Sequence, residues 1–120
     1  MIFAALLLFA GLVSAAGLIQ YPRGARKPGV ITSEGCFSLL SSTAEEQYTD
    51  EYLNVGSCAE FCRDEQKLLS VTHKSECFCA DTLPAASSLV RDEQCNFSCP
   101  GWPKEACGGI EAYSVMNTGL

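Results

Sequence analysis

Ser57-Cys58-Ala59-Glu60-Phe61-Cys62 and, further along, Cys77-Phe78-Cys79 carry two different cysteine spacings, and the difference decides the fold. Ser57 and Glu60 stand as a capping box, in which hydroxyl and carboxylate each satisfy an orphan backbone donor. This predicts a helix from Cys58 to about Gln66. Cys58 and Cys62, four apart, then share one face, and Arg63, Asp64 and Glu65 fall to solvent. Leu68 to Thr72 reads as a short strand, and His73-Lys74-Ser75-Glu76 as a polar turn. Cys77-Phe78-Cys79 alternates as a strand does, placing both thiols on one side and Phe78 on the other. Two thiols on a helix face opposite two on a strand face predict two cross-links, nested as Cys58 with Cys79 and Cys62 with Cys77. Cys36, Cys95, Cys99 and Cys107 remain unassigned. The fold class is α+β with short elements.

Outward from this stretch, composition agrees. The chain has 120 residues, enough for one core, and eight cysteines, an even number far above ordinary usage. That pattern fits a disulfide framework, and each bridge adds about 2–4 kcal/mol where the core is thin. Zinc is the competing use, because Cys58/Cys62 and Cys77/Cys79 could act as ligand pairs. A metal site does not need eight cysteines in a chain routed to an oxidising compartment. The net charge is −6, and from Glu34 onward five basic residues face all 14 acidic ones. Such a surface repels phosphate backbones and anionic lipid heads, so no nucleic-acid partner is expected.

The beginning of the chain explains its positive mean hydropathy. Ile2 to Val13 is apolar except for Gly11, and Ser14-Ala15-Ala16 follows, the order of a secretory signal and its cleavage site. Residues 1–16 are read as a signal peptide. An uncleaved anchor is the alternative, since apolar character continues to Ile19. Residues 17–33, with Pro22, Gly24, Pro28 and Gly29 beside Arg23, Arg26 and Lys27, read as an exposed linker. The domain spans residues 34–116 and leaves a tail at residues 117–120. Within it, Asp81 to Asp92 and Cys95 to Cys107 read as loops, the second marked by Pro100-Gly101 and Trp102-Pro103. Gly108-Gly109 signals positive φ or close backbone approach, and Ala112 to Met116 a last strand.

At this point the residues resemble a known family. Gly35-Cys36-Phe37-Ser38, Val55-Gly56-Ser57-Cys58 through Cys62, and Cys77-Phe78-Cys79-Ala80-Asp81 with Leu83-Pro84 are similar to the WSC domain of fungal cell-wall stress sensors. So are Cys95-Asn96 with Cys99-Pro100-Gly101, Cys107-Gly108-Gly109 and Tyr113-Ser114-Val115. All eight cysteines fit, from Gly35 to Met116. The resemblance implies a PAN/apple-like fold, one main helix braced on a short antiparallel sheet. It also implies an extracellular role in binding cell-wall polysaccharide, β-glucan in particular. Sensors of this family continue into a Ser/Thr-rich stalk and a membrane helix, so a membrane location is implied only if this chain is part of a longer sensor. Ala80 stands where the family usually has glycine, and would be strained if that backbone needs positive φ.

Sugar binding calls for apolar faces with a few polar groups. Trp102, between Gly101 and Pro103, and Tyr48, Tyr52 and Asn54, in the turn-rich stretch before the helix, are the candidate carbohydrate-binding residues. Packing area is the competing use of each aromatic. Phe37, Phe61, Phe78 and Tyr113 lie near cysteines and are assigned to the core. His73 is the only histidine and is expected as an exposed turn residue. No thiol is left over as a nucleophile, no Gly-x-Ser-x-Gly elbow occurs, and carboxylates come as diverging neighbours, so no enzyme, cofactor or metal is expected. Asn96-Phe97-Ser98 is an N-glycosylation sequon. The leading expectation is an extracellular, wall-associated carbohydrate-binding module; the alternative is a secreted module that binds protein or clusters with its own kind.

Overall fold

The computed structural model of the chain describes residues 18–120, so the signal peptide expected at residues 1–16 lies outside the described residues. The strands are β1 (Thr32–Phe37), β2 (Glu45–Thr49), β3 (Leu69–His73), β4 (Glu76–Ala80), β5 (Leu89–Val90), β6 (Ser98–Cys99), β7 (Trp102–Ala106) and β8 (Tyr113–Asn117). Among the described residues there is one α-helix, α1 (Val55–Asp64), with 3-10 turns at Ala86–Ser88 and Asp92–Gln94. Six strands form one antiparallel sheet in the order β2-β4-β3-β8-β1-β5, and β6 and β7 form a separate hairpin. The α+β disulfide domain expected from the sequence is the architecture observed.

The helix starts three residues before the expected Cys58. Asn54 is its N-cap: the Asn54 Oδ1 accepts from the Ser57 N–H at 2.8 Å, and the Ser57 Oγ accepts from the Asn54 N–H at 3.1 Å. The box is therefore Asn54 with Ser57, and Glu60 has no part in it. Beyond Glu65, Gln66 adopts φ 62°, the Lys67 N–H reaches Cys62 O and the Gln66 N–H reaches Arg63 O. This is a Schellman stop with glutamine in the place glycine usually takes. Val55, Cys58, Ala59 and Cys62 are buried, while Arg63, Asp64 and Glu65 are exposed, as the spacing predicts.

One face of the sheet meets this helix. Leu53, Val55, Cys58, Cys62, Cys77, Cys79, Cys99, Cys107 and Met116 form the core between them. Leu69, Val71, Val115, Phe37 and Ala80 fill the other face, with Phe78 and Tyr113 against them. Cys77 and Cys79 share the helix side and Phe78 points away, so the strand alternation is confirmed. Ala80 is an ordinary β4 residue paired with Leu69 and has no positive φ, so the substitution for glycine causes no strain.

All eight cysteines are paired, as Cys36–Cys95, Cys58–Cys77, Cys62–Cys79 and Cys99–Cys107. The nested pairing is therefore wrong. The chain reverses twice between α1 and β4, once into β3 and once through the β3–β4 hairpin. Two reversals restore direction, so the earlier helix cysteine meets the earlier strand cysteine. The Sγ atoms of Cys58, Cys62 and Cys77 do cluster within 4.8 Å, but each is spent in a bridge, which removes the thiolates a zinc site needs.

The segment from Cys95 to Cys107 is not a plain loop. Cys99–Cys107 closes its later part into the β6–β7 hairpin, while Cys95 is bridged to Cys36. β1, β2 and β5 also formed where no strand was expected. His73 closes β3 and is half-buried: its Nδ1 lies 2.9 Å from Glu76 Oε1, and its ring lies 4.8 Å from that of Tyr113. Gly108 has φ 68°, and a Cβ there would meet Thr72 O at 2.8 Å and Ala112 O at 2.6 Å. Only glycine meets both demands. Among the described residues no helix is long and apolar enough to cross a membrane.

Candidate functional site

The site is assembled where the start of α1 meets the β6–β7 hairpin. Asp50 opens a tight turn, its Oδ1 accepting from the Tyr52 N–H at 2.9 Å and its carbonyl from the Leu53 N–H at 3.2 Å. Leu53 is buried completely, which leaves the Tyr52 side chain 71% exposed. The hairpin turn rests on the same backbone: the Gly101 N–H donates to Leu53 O at 2.8 Å. A Cβ on Gly101 would lie 1.9 Å from Tyr52 O, so only glycine lets the two turns touch. Trp102 follows immediately and is 54% exposed.

Glu105 on β7 ties the assembly together from below. It is buried, and its Oε1 accepts from the Val55 N–H, a free donor of the helix's first turn, at 2.8 Å. The positive end of the helix dipole suits the carboxylate there. Its Oε2 accepts from the Tyr21 O–H at 2.6 Å. That hydrogen bond, then burial, then the charge of Glu105 push the Tyr21 phenol up to about 12. Tyr21 arrives on a segment pinned at Ile19, whose N–H donates to Lys104 O at 2.9 Å and whose carbonyl accepts from the Ala106 N–H at 2.8 Å. Residues 21–30 are solvent-exposed, but the segment is fastened to the domain at Ile19.

Trp102, Asn54, Gly56, Glu105 and Tyr21 line a hollow of about 350 Å³. The structure thus brings two of the sequence-derived candidates, Asn54 and Trp102, into one site, with Tyr52 on the adjoining turn. Asn54 spends its Oδ1 on the helix cap; its Nδ2 makes no hydrogen bond among the described residues and is free to donate. Tyr48 lies elsewhere, on β2. Its ring is half-buried and packs edge-on against Phe61 at 4.9 Å, and burial is the main cause raising its phenol's pKa. Asn96 is exposed, just before β6. Tyr21 and Glu105 were missed: Tyr21 sits in a Pro/Gly/basic run that has no period, and Glu105 is one carboxylate among 14.

This arrangement offers an exposed indole, a phenol, a free amide donor and a carboxylate already engaged by two donors. It can stack and hydrogen-bond a neutral polar ligand.

Comparison with known proteins agrees in extent and in kind. The WSC domain model matches residues 33–109. The chain is 33% identical over 81 residues to Protein SLG1 of Saccharomyces cerevisiae, covering 67% of this chain and 21% of that protein. It is 30% identical over 87 residues to Cell wall integrity and stress response component 3 of the same yeast, covering 68% and 16%. A shorter match, 36% over 64 residues, is to Xylosyltransferase oxt of Drosophila melanogaster, covering 52% and 7%. The chain therefore spans about a fifth or less of the length of these relatives. The matched span contains all eight cysteines, from Cys36 to Cys107, and with them all four bridges, and the chain belongs to the WSC domain family.

Proposed function

We propose that this domain is an extracellular, non-catalytic module that binds neutral cell-wall polysaccharide, β-glucan first among them, and that it serves as the recognition head of a cell-wall stress sensor. The observation that carries the reading is Trp102: a large indole left half in solvent, on a turn locked by Gly101 and the Cys99–Cys107 bridge, beside the unspent amide of Asn54. A ring left in solvent forgoes the free energy that its burial would give, so a ligand that covers it can gain that term, and a rigid exposed ring loses little entropy when covered. The acidic surface favours a neutral ligand over an anionic one. Four disulfides and the apolar leader support passage through an oxidising, secretory route. The relatives named for cell wall integrity support the wall as the setting.

Retention of the oxidised chain on insoluble β-glucan and on chitin tests this. The wild-type chain is expected in the bound fraction, with Trp102→Ala losing about tenfold in affinity while stability changes by under about 1 kcal/mol, because the ring is half-exposed. No retention on either polymer, together with self-association that survives Trp102→Ala, would favour the protein-interaction alternative.

A further inference from the structure

We infer that Tyr21 is a binding residue of this same face, and that the site takes an internal run of several β-linked sugars rather than a single terminal one. The inference rests on the glycan reading above. A second hollow of about 390 Å³ adjoins the one beside Trp102, and the two share Tyr21, Gly56 and Glu105. Tyr21, Gly56 and Glu105 therefore lie where the two halves of one groove meet. Together they have the size of an extended ligand site rather than a pocket for one ring.

The chemistry of the second half matches that of the first. Pro22, Ile31, Val55 and Met116 supply apolar wall. Thr32 stands at the rim, where its Oγ1 accepts from Asn117 Nδ2 at 3.1 Å and its own hydroxyl proton is unspent among the described residues. Alternating apolar surface and single hydroxyl or amide donors suits pyranose rings, which present C–H faces and equatorial hydroxyls in turn. With the one buried carboxylate already accepting two hydrogen bonds and a net charge of −6, an anionic chain is disfavoured.

Tyr21 is also held in place before any ligand arrives. Ser33 Oγ donates to Tyr21 O at 2.9 Å, the Gly24 N–H donates to Ser33 O at 2.9 Å, and Ser114 Oγ donates to Gln20 Oε1 at 2.8 Å. With the Ile19 pairing on one side and the phenol bonded to Glu105, the ring is preorganised, which lowers the entropic cost of covering it. Tyr21, Pro22, Gly24, Ile31 and Thr32 lie before residue 33, where the family match begins, so one wall of this half of the groove comes from outside the matched residues.

Isothermal titration of the oxidised chain with β-1,3-glucan oligosaccharides of two and six units, with matching chito-oligosaccharides as a second probe, tests the inference. The six-unit chain should bind wild-type protein about tenfold more tightly than the two-unit chain, and Tyr21→Ala should erase most of that advantage, with a smaller loss for the short ligand than for the long one. Tyr21→Phe, which keeps the ring, should retain the length dependence. Equal losses for both lengths in Tyr21→Ala, no loss for either, or loss of the length dependence in Tyr21→Phe would each overturn a contact through the ring. Wild-type protein that binds no oligosaccharide of either kind would overturn the glycan reading and this inference together, a result distinguishable before any variant is made.

Discussion

The helix–hairpin unit, Val55–Ala80, and the β6–β7 hairpin with its adjoining N-terminal segment are both cross-linked, yet they hold their shapes by different means. In the first, two bridges join residues 19 and 17 apart, and the strands between them pair in continuous register. Its surface is ordinary: charged residues on the helix's outer face and apolar ones beneath. In the second, a bridge spans only 8 residues, the register shifts within the hairpin, and position depends on single contacts such as the Gly101 N–H to Leu53 O and Glu105 to the Val55 N–H. The candidate site appears where the second is docked onto the first turn of the first. The regular half supplies a fixed platform and free helix donors, and the irregular half supplies the aromatics.

The sharpest way to break this division is to cut the tie that brings the irregular half back to the sheet. Cys36–Cys95 joins β1 to the residues leading into β6 across a separation of 59 residues, the longest loop closed by any of the four bridges. Loop-closure entropy grows with the logarithm of that length, so Cys36→Ala with Cys95→Ala should cost about 4 kcal/mol, against about 2.5 kcal/mol for Cys99→Ala with Cys107→Ala. Urea unfolding of both double variants measures the difference. A larger loss from the short bridge would mean that the hairpin, not the long tie, is what fixes the face.

Intermediate in size is Gly101→Ala. Its Cβ would lie 1.9 Å from a backbone oxygen, which cannot rotate away as a side chain can, so the two turns must separate. The expected cost is about 1–3 kcal/mol, in the range for overpacking. The informative reading is the accompanying one: glucan retention should fall at temperatures where the variant is still fully folded by far-UV circular dichroism. Retention equal to wild type in the folded variant would show that the docking of the turns does not position the site.

These two regions also differ in what could be read from residues alone. The helix, β3 and β4 follow from local spacing, as in Cys58/Cys62 at four and Cys77/Cys79 at two. The cap was displaced because Asn54 and Ser57 make the same kind of box three residues earlier than Ser57 and Glu60, and the sequence permits both. The disulfide order failed for a reason of topology rather than pattern, since only the count of chain reversals decides between nested and parallel pairing. β1 was hidden because Thr32–Phe37 contains Gly35 and Glu34 and gains its place from β8, far along the chain. Trp102, Tyr52 and Asn54 stood out by type and setting. Tyr21 and Glu105 did not, because their significance lies in a contact between residues 84 apart.

That contact gives the smallest and most specific test of how the irregular half is fastened. Folding raises the Tyr21 phenol from its ordinary 10 to about 12, chiefly because the hydroxyl donates to Glu105, so the folded state favours the neutral ring. The contribution is complete below pH 10 and is lost as pH climbs through 12, where the phenolate would face the carboxylate. Tyr21→Phe has no proton to lose. Urea midpoints measured from pH 8 upward should therefore fall more steeply for wild type than for Tyr21→Phe between pH 10 and 12, while Tyr48, raised by burial in both proteins, cancels in the difference. Trp102 is the only tryptophan, so its fluorescence reports on the site itself. A shift in emission that precedes global unfolding in wild type, and is absent in Tyr21→Phe, would locate the alkaline loosening in the N-terminal segment. Parallel curves for the two proteins would mean that the backbone pairing at Ile19 holds the segment without help from the phenol.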